Sequence, residues 1–241
     1  MSNLFQAEYR LRSTDFDRYN RIKPATVLEL FQDAATQHAE LIGVGFDELI
    51  KRSYMWVLTR IRFRVLAPFA SHQRVIVKTW PLEPNRLCYR REYSIENEQG
   101  EMLIAGSSEW VIMHSERRRF VPDANLYSFA EGFRSEMMFE GRLSKVADFE
   151  ATGTPRTVAT GFSDLDANNH VNNTKYPNFV MDAVAPAETD VLDTFQIDYR
   201  KEVLEGTRLQ ICHTRHENEV LAKGVNEQGD VMFACSLQYR P

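Results

Sequence analysis

Residues 164–173 read Asp-Leu-Asp-Ala-Asn-Asn-His-Val-Asn-Asn, which puts four asparagines, two aspartates and a histidine into ten positions. Short polar side chains satisfy the free N–H groups at a helix start, so one reading of this run is an elaborate helix cap. The other reading is chemical. His170 is the titratable group here whose ordinary pKa suits proton handling near neutrality. A loop that feeds a helix N-terminus also presents backbone donors and a favourable dipole to a developing oxyanion. A second acid stands farther along, where Ile197-Asp198-Tyr199-Arg200-Lys201-Glu202 alternates charged and apolar or long side chains. By alternation alone, Asp198, Arg200 and Glu202 form a solvated strand face with its own salt pairing.

The elements that must hold these residues repeat along the chain. Residues 14–34 and 163–183 align without a gap at an offset of 149, pairing Asp15 with Asp164, Asp17 with Asp166, Asn20 with Asn169 and Asp33 with Asp182. Farther on, Ile61-Arg62-Phe63-Arg64 resembles Ile197-Asp198-Tyr199-Arg200 at an offset of 136, and Asn97-Glu98-Gln99-Gly100 returns as Asn226-Glu227-Gln228-Gly229 at 129. Matches in the same order at a shrinking offset read as a duplication. In each copy an amphipathic helix is expected, over 24–42 with apolar residues at Val27, Phe31, Ala34, Ala35 and Leu41, and over 172–185 with Tyr176, Phe179, Val180 and Ala183. Strand-rich runs follow at 54–66, 74–80, 86–96 and 102–114, then at 194–203, 207–215, 218–225 and 231–239. The expected class is therefore α+β, with two units over 1–119 and 155–241 and a partly helical linker over 120–154. Where the second copy has Asn168 and His170, the first has Tyr19 and Arg21, so the chemistry sits in one copy only.

Composition narrows the function. The 241 residues hold 29 Lys and Arg against 34 Asp and Glu, a net charge of -5, which argues against a nucleic-acid-binding surface. Cys88, Cys212 and Cys235 form no CxxC pair, so neither a disulfide framework nor a zinc knuckle is indicated. Cys212-His213-Thr214-Arg215-His216 lacks a second ligand pair, and no metal or cofactor is expected. The start of the chain carries acidic residues and no apolar signal core, and no run reaches 18 apolar residues, so a cytoplasmic protein without membrane association is expected.

The segment from Asp164 to Tyr176 resembles the active-site motif of the acyl-acyl-carrier-protein thioesterases, a family built from two tandem hotdog domains. Trp56-Val57-Leu58-Thr59-Arg60 and Tyr199-Arg200-Lys201-Glu202 also resemble family segments, and the likeness spans essentially the whole chain. It implies an antiparallel sheet wrapped around a central helix in each unit, with the first unit catalytically degenerate and acyl-binding. It implies catalytic roles for Asp166, Asn168, His170 and Glu202 in thioester hydrolysis, within fatty acid biosynthesis. Glu202 would activate water or attack the carbonyl itself, His170 and Asn168 would position water or substrate, and Asp166 would hold the loop. Plant members place a cysteine after that Glu; here it is Val203, which excludes a cysteine mechanism at this position. The implied partner is an acyl carrier protein, for whose acidic surface Arg117, Arg118 and Arg119, or Arg86, Arg90 and Arg91, are candidate patches. A homodimer stays open, as do an acyl-CoA thioesterase and a non-catalytic acyl-binding protein as alternative functions; a dehydratase fits the motif less well.

Overall fold

The computed structural model describes residues 2–122, 126, 127, 129 and 131–241. The chain divides into two compact units, one made of the described residues up to Ile22 and from Glu29 to Leu143, the other of Lys23–Leu28 and Ser144–Pro241.

In the first unit, strands β1 (Phe5–Arg10), β2 (Tyr54–Val65), β3 (Arg74–Pro81), β4 (Tyr89–Asn97) and β5 (Met102–His114) form an antiparallel sheet in the order β1-β3-β4-β5-β2, with the short β6 (Arg119–Phe120) on β5. The helix α1 (Pro24–Leu41), whose residues from Glu29 onward belong to this unit, starts on a proline, whose missing N–H costs nothing in a first turn. Its Phe31 stacks on Tyr93 of β4 with ring centroids 4.3 Å apart. Gly106 of β5 makes room for that ring, because a Cβ there would lie 2.3 Å from it. A short helix α2 (Phe46–Ile50), too brief to leave a periodic signal, precedes β2.

The second unit repeats the plan with β7 (Arg156–Ala159), helix α3 (Tyr176–Val184), then β8 (Leu192–Tyr199), β9 (Arg208–His216), β10 (Glu219–Asn226) and β11 (Val231–Tyr239) in the order β8-β11-β10-β9-β7. Strand pairing fixes the repeat register. Tyr9 faces Val75 and Val158 faces Leu209, while Val75 faces Asn97 and Leu209 faces Asn226. The offset is therefore 149 before the helix, 134 across β8 and β9, and 129 beyond. The first drop reflects α1 at 18 residues, plus α2, against α3 at nine. The sequence match of 61–64 with 197–200 is thus two residues out, a shift that keeps every side chain on its face and so leaves the hydrophobic pattern intact. Core volume is traded between the copies: Phe31 over Gly106 in one, Val180 and Cys235 at the corresponding positions in the other, with Phe31, Val180 and Cys235 fully buried.

The stretch 120–154 contains no helix among its described residues. Its described residues from 138 to 146 are tied down by buried carboxylates. In the first unit, Glu92 accepts from Met138 N–H at 2.7 Å and Glu109 from Leu143 N–H at 3.1 Å, while Arg60 bonds both Glu109 (3.0 Å) and the Leu143 carbonyl (2.8 Å). In the second, Asp198 accepts from Val146 N–H at 2.8 Å and Lys223 donates to the Phe149 carbonyl at 2.8 Å. No helix among the described residues is long and apolar enough to cross a membrane.

Candidate functional site

The loop before each helix folds on one template. A 3-10 turn, Ser13–Asp15 or Phe162–Asp164, ends in an aspartate that accepts a hydrogen bond from the backbone N–H three residues earlier, Asp15 from Arg12 at 2.7 Å and Asp164 from Gly161 at 2.9 Å. A tight reversal follows, closed by the bridges Phe16 to Ile22 and Leu165 to Val171. At its tip Asp17 Oδ1 accepts from Tyr19 N–H and Asp166 Oδ1 from Asn168 N–H, each at 2.8 Å. Asn20 and Asn169 take the left-handed conformation (φ 58° and 61°), which asparagine tolerates best among side chains with a Cβ. Three of the matched residues thus build the loop in both units, while Asp33 and Asp182 lie in the helices, and Asp166 in particular is a loop-forming residue whose own N–H donates to the His170 carbonyl at 2.9 Å.

What the copies do not share lies on this frame. His170 is half-buried in the second unit, and its Nε2 stands 3.4 Å from Glu202 Oε2. Glu202 is not on a strand. β8 ends at Tyr199, after which the N–H groups of Arg200 and Lys201 both bond the Met232 carbonyl, at 2.9 and 3.0 Å. That irregularity breaks the ladder, so the expected strand over 194–203 stops short: Asp198 is buried within it, and the exposed Glu202 lies beyond its end. The next residue, Val203, is fully buried, and its carbonyl accepts from Val171 N–H at 2.8 Å. This bond ties the Glu202 segment directly to the His170 loop. Asn168 is exposed at the tip, held through its backbone.

The helix start offers fewer oxyanion donors than the sequence promises. Residues 173–175 form a turn, and α3 begins at Tyr176 with Pro177 next, which has no N–H. The N–H groups of Val171, Asn172, Thr174, Lys175 and Asn178 are bonded to Val203, Asp164, the Asn172 side chain, Asn172 and Lys175 respectively. Among the described residues, the N–H groups of Asn173 and Tyr176 are left without such a partner.

Tyr176 closes the segment that resembles the family motif. Tyr176 falls in the apolar stripe of the second helix, and its ring is buried edge-on against Tyr199 and Phe233, with centroids 5.3 and 5.0 Å away. Burial, reinforced by the carboxylates of Asp166 and Glu202, holds its hydroxyl pKa above the ordinary tyrosine value. At the offset of 149 its counterpart is Val27, also buried. Comparing the two helices position by position is the sequence signal that finds it.

Other candidates separate cleanly. The Cys235 thiol is buried and pushed well up, and burial also raises Cys88, so neither is primed as a nucleophile. No group of three or more His, Cys, Asp or Glu side chains suited to a metal occurs among the described residues. Of the arginine clusters, Arg117, Arg118, Arg119 and Arg86 are exposed. Arg90 and Arg91 are not available to a partner: Arg90 bonds Glu92 at 2.5 Å and Ser107 at 2.9 Å, and the buried Arg91 bonds His38 Nδ1 at 3.0 Å and Thr79 at 3.2 Å. The first unit also holds a cavity of about 400 Å³ lined by Glu83, Pro84, Arg86, Tyr89, Leu126, Tyr127 and Phe133.

Comparison with known proteins matches residues 2–124 to the acyl-ACP thioesterase N-terminal domain and residues 151–240 to the acyl-ACP thioesterase C-terminal domain. A palmitoyl-acyl carrier protein thioesterase of Cuphea hookeriana is 27% identical over 214 residues, covering 83% of this chain and 52% of the relative. Its Gossypium hirsutum counterpart is 28% identical over 227 residues, covering 88% and 55%. The chain thus spans about half the length of the curated plant relatives it matches. Among solved structures, the 12:0-ACP thioesterase of Umbellularia californica superposes with a TM-score of 0.87 at 23% identity, covering 100% of this chain and 98% of the other. An acyl-ACP thioesterase of Bacteroides thetaiotaomicron gives 0.83 at 20% identity, with 100% of each chain covered. The tandem hotdog fold is shared with both.

Proposed function

We propose, because the chain belongs to the acyl-ACP thioesterase family, that it hydrolyses fatty acyl thioesters carried on acyl carrier protein. The products are a free fatty acid and the carrier's thiol. The observation that carries this reading is the approach of His170 Nε2 to Glu202 Oε2 at 3.4 Å, on a loop frame whose copy in the first unit has Arg21 in place of the histidine.

In this reading Glu202 takes a proton from a water molecule whose oxygen attacks the thioester carbonyl carbon. The C–S bond then breaks, and the proton held by Glu202 passes to the departing thiolate. His170 orients the Glu202 carboxylate, Asn168 contacts water or substrate at the loop tip, and Asp166 keeps the loop in shape. The Asn173 N–H, left unbonded at the start of α3, is the backbone donor for the oxyanion. A positioned base contributes roughly 10²–10⁴ in rate and one oxyanion donor about 10²–10³, which is adequate for an activated ester. Docking of an acidic carrier falls to the exposed Arg117, Arg118, Arg119 and Arg86.

The test is thiol release by the purified chain from one acyl group presented on acyl carrier protein and on coenzyme A. Turnover that favours the carrier protein, and that falls about 10²-fold or more in H170A, supports the reading. Preference for coenzyme A would make the protein an acyl-CoA thioesterase, and release from neither would leave an acyl-binding protein.

A further inference from the structure

The second unit holds two large apolar side chains in solvent beside its catalytic loop, where the first unit holds none. The bond from Leu11 N–H to the Gln73 carbonyl (2.9 Å) recurs as Thr160 N–H to the Thr207 carbonyl (3.0 Å). That pair of bonds aligns the segments before the helices at an offset of 149 and the connections 66–73 and 200–207 at 134. At these offsets Phe162 corresponds to Ser13 and Leu204 to Ala70, both exposed. Phe162 is 85% exposed and Leu204 53%. The first unit closes the same 3-10 turn and the same strand connection with small side chains, so the frame itself requires neither Phe162 nor Leu204.

Both residues lie on one bonded segment next to the reactive pair. Thr160 Oγ1 donates to the Leu204 carbonyl at 2.7 Å, the Thr160 carbonyl accepts from Gly206 N–H at 2.9 Å, and Phe162 opens the turn that ends in Asp164. Leu204 stands two residues past Glu202, across the buried Val203 whose carbonyl holds the His170 loop through Val171 N–H at 2.8 Å. Exposed cations share the segment: Arg200 and Lys201 precede Glu202, and Arg208 pairs with Ala159 across the ladder of β7 and β9. Exposed Glu205 is the acid among them, and Lys201 also pairs with Asp230 at 2.8 Å. Single exposed apolar residues are ordinary, but two of them flanked by cations at a reactive pair have the composition of an interface anchor.

We infer that Phe162 and Leu204 form an apolar anchor for the protein part of the substrate, the acyl carrier protein, on the second unit. The inference rests on the reading of the chain as an acyl-ACP hydrolase with Glu202 and His170 as its reactive pair. A thioester that reaches Glu202 on a carrier brings the carrier's surface against the residues around Glu202. Leu204, and the Thr160 to Phe162 segment bonded to it, are among those residues. The acidic carrier meets Arg200, Lys201 and Arg208 at the rim, while Phe162 and Leu204 supply desolvated apolar area.

The experiment installs the first unit's residues, F162S and L204A, which the duplicated frame already accommodates. Thiol release is followed with one acyl group on acyl carrier protein and on coenzyme A, beside light scattering and thermal unfolding. The expected result is a KM for acyl-ACP raised about 10-fold in F162S and about 3-fold in L204A, with kcat and the KM for acyl-CoA within about twofold of wild type. A KM for acyl-ACP within about twofold of wild type in both variants overturns the inference. An equal rise with coenzyme A overturns it too, since that places the side chains against the arm the two carriers share. So does a wild-type dimer that F162S dissolves, which would give the pair to a second copy of the chain. Where coenzyme A supports no turnover, the Ki of the carrier protein without its acyl group should rise about 10-fold in F162S, and an unchanged Ki overturns the inference. No release from acyl-ACP by wild type would instead overturn the hydrolase reading, and the anchor with it.

Discussion

Asp17 and Asp166 occupy equivalent loop tips, and their removal should separate stability from catalysis in opposite directions. Asp17 is the more heavily bonded: its Oδ1 accepts from Tyr19 N–H (2.8 Å) and Arg21 N–H (3.0 Å), and its Oδ2 pairs with Arg21 Nε (3.0 Å) and Nη2 (2.9 Å). Asp166 Oδ1 accepts from Asn168 N–H at 2.8 Å. Hydrogen bonds to a charged group contribute about 1.5–3 kcal/mol when buried, and partial exposure of the Asp17–Arg21 pair reduces this. D17A should then cost about 3 kcal/mol and D166A about 1.5 kcal/mol. For a chain of this size these losses correspond to falls in Tm of about 6–12 °C and 3–6 °C. Activity should run the other way. D166A loosens the loop that presents Asn168 and His170 and should lower kcat at least about 10-fold, whereas folded D17A should stay within about twofold of wild type. Calorimetry beside thiol release reads both axes. A folded D166A protein with wild-type kcat, or a D17A protein as inactive as D166A, would refute the division of labour between the units.

Two further outcomes follow from buried charge in the first unit. E109A removes the carboxylate that neutralises buried Arg60 and anchors Leu143, and should destabilise by about 3–5 kcal/mol in denaturant titration. His38 is buried beside Arg91, and desolvation first, then the Arg91 charge, lowers its pKa from 6.5 to about 4. The folded state therefore binds fewer protons than the unfolded one between these values, so stability falls as pH drops from about 6.5 towards 4. The loss approaches about 2–3 kcal/mol by pH 4, and in H38Q this part of the pH slope should vanish from urea titrations.

Much of this fold is legible in the residues because duplication states each element twice. The strand runs from 54 onward fall within a few residues of β2 to β5 and β8 to β11, since half-buried strands display their period of two. Alternation misleads at Glu202, where it continues in sequence past Tyr199 although two successive N–H groups share the Met232 carbonyl and end the ladder. It is equally silent about Arg90 and Arg91: they point to opposite faces of β4, and both faces are covered. The strap over 120–154 has no periodicity, because its order comes from Glu92, Glu109 and Asp198, residues far away in sequence. His170 and Glu202 are legible as types, but their meeting depends on the Val171 to Val203 backbone bond.

The central claim is that the carboxylate of Glu202, held beside His170, drives thioester hydrolysis. Replacing Glu202 with glutamine keeps its size and removes its basicity, and the position is exposed enough to leave the fold intact. Steady-state thiol release from acyl-ACP by E202Q should show kcat reduced by about 10²–10⁴ with Tm unchanged. A folded E202Q enzyme that releases thiol at the wild-type rate would contradict the account.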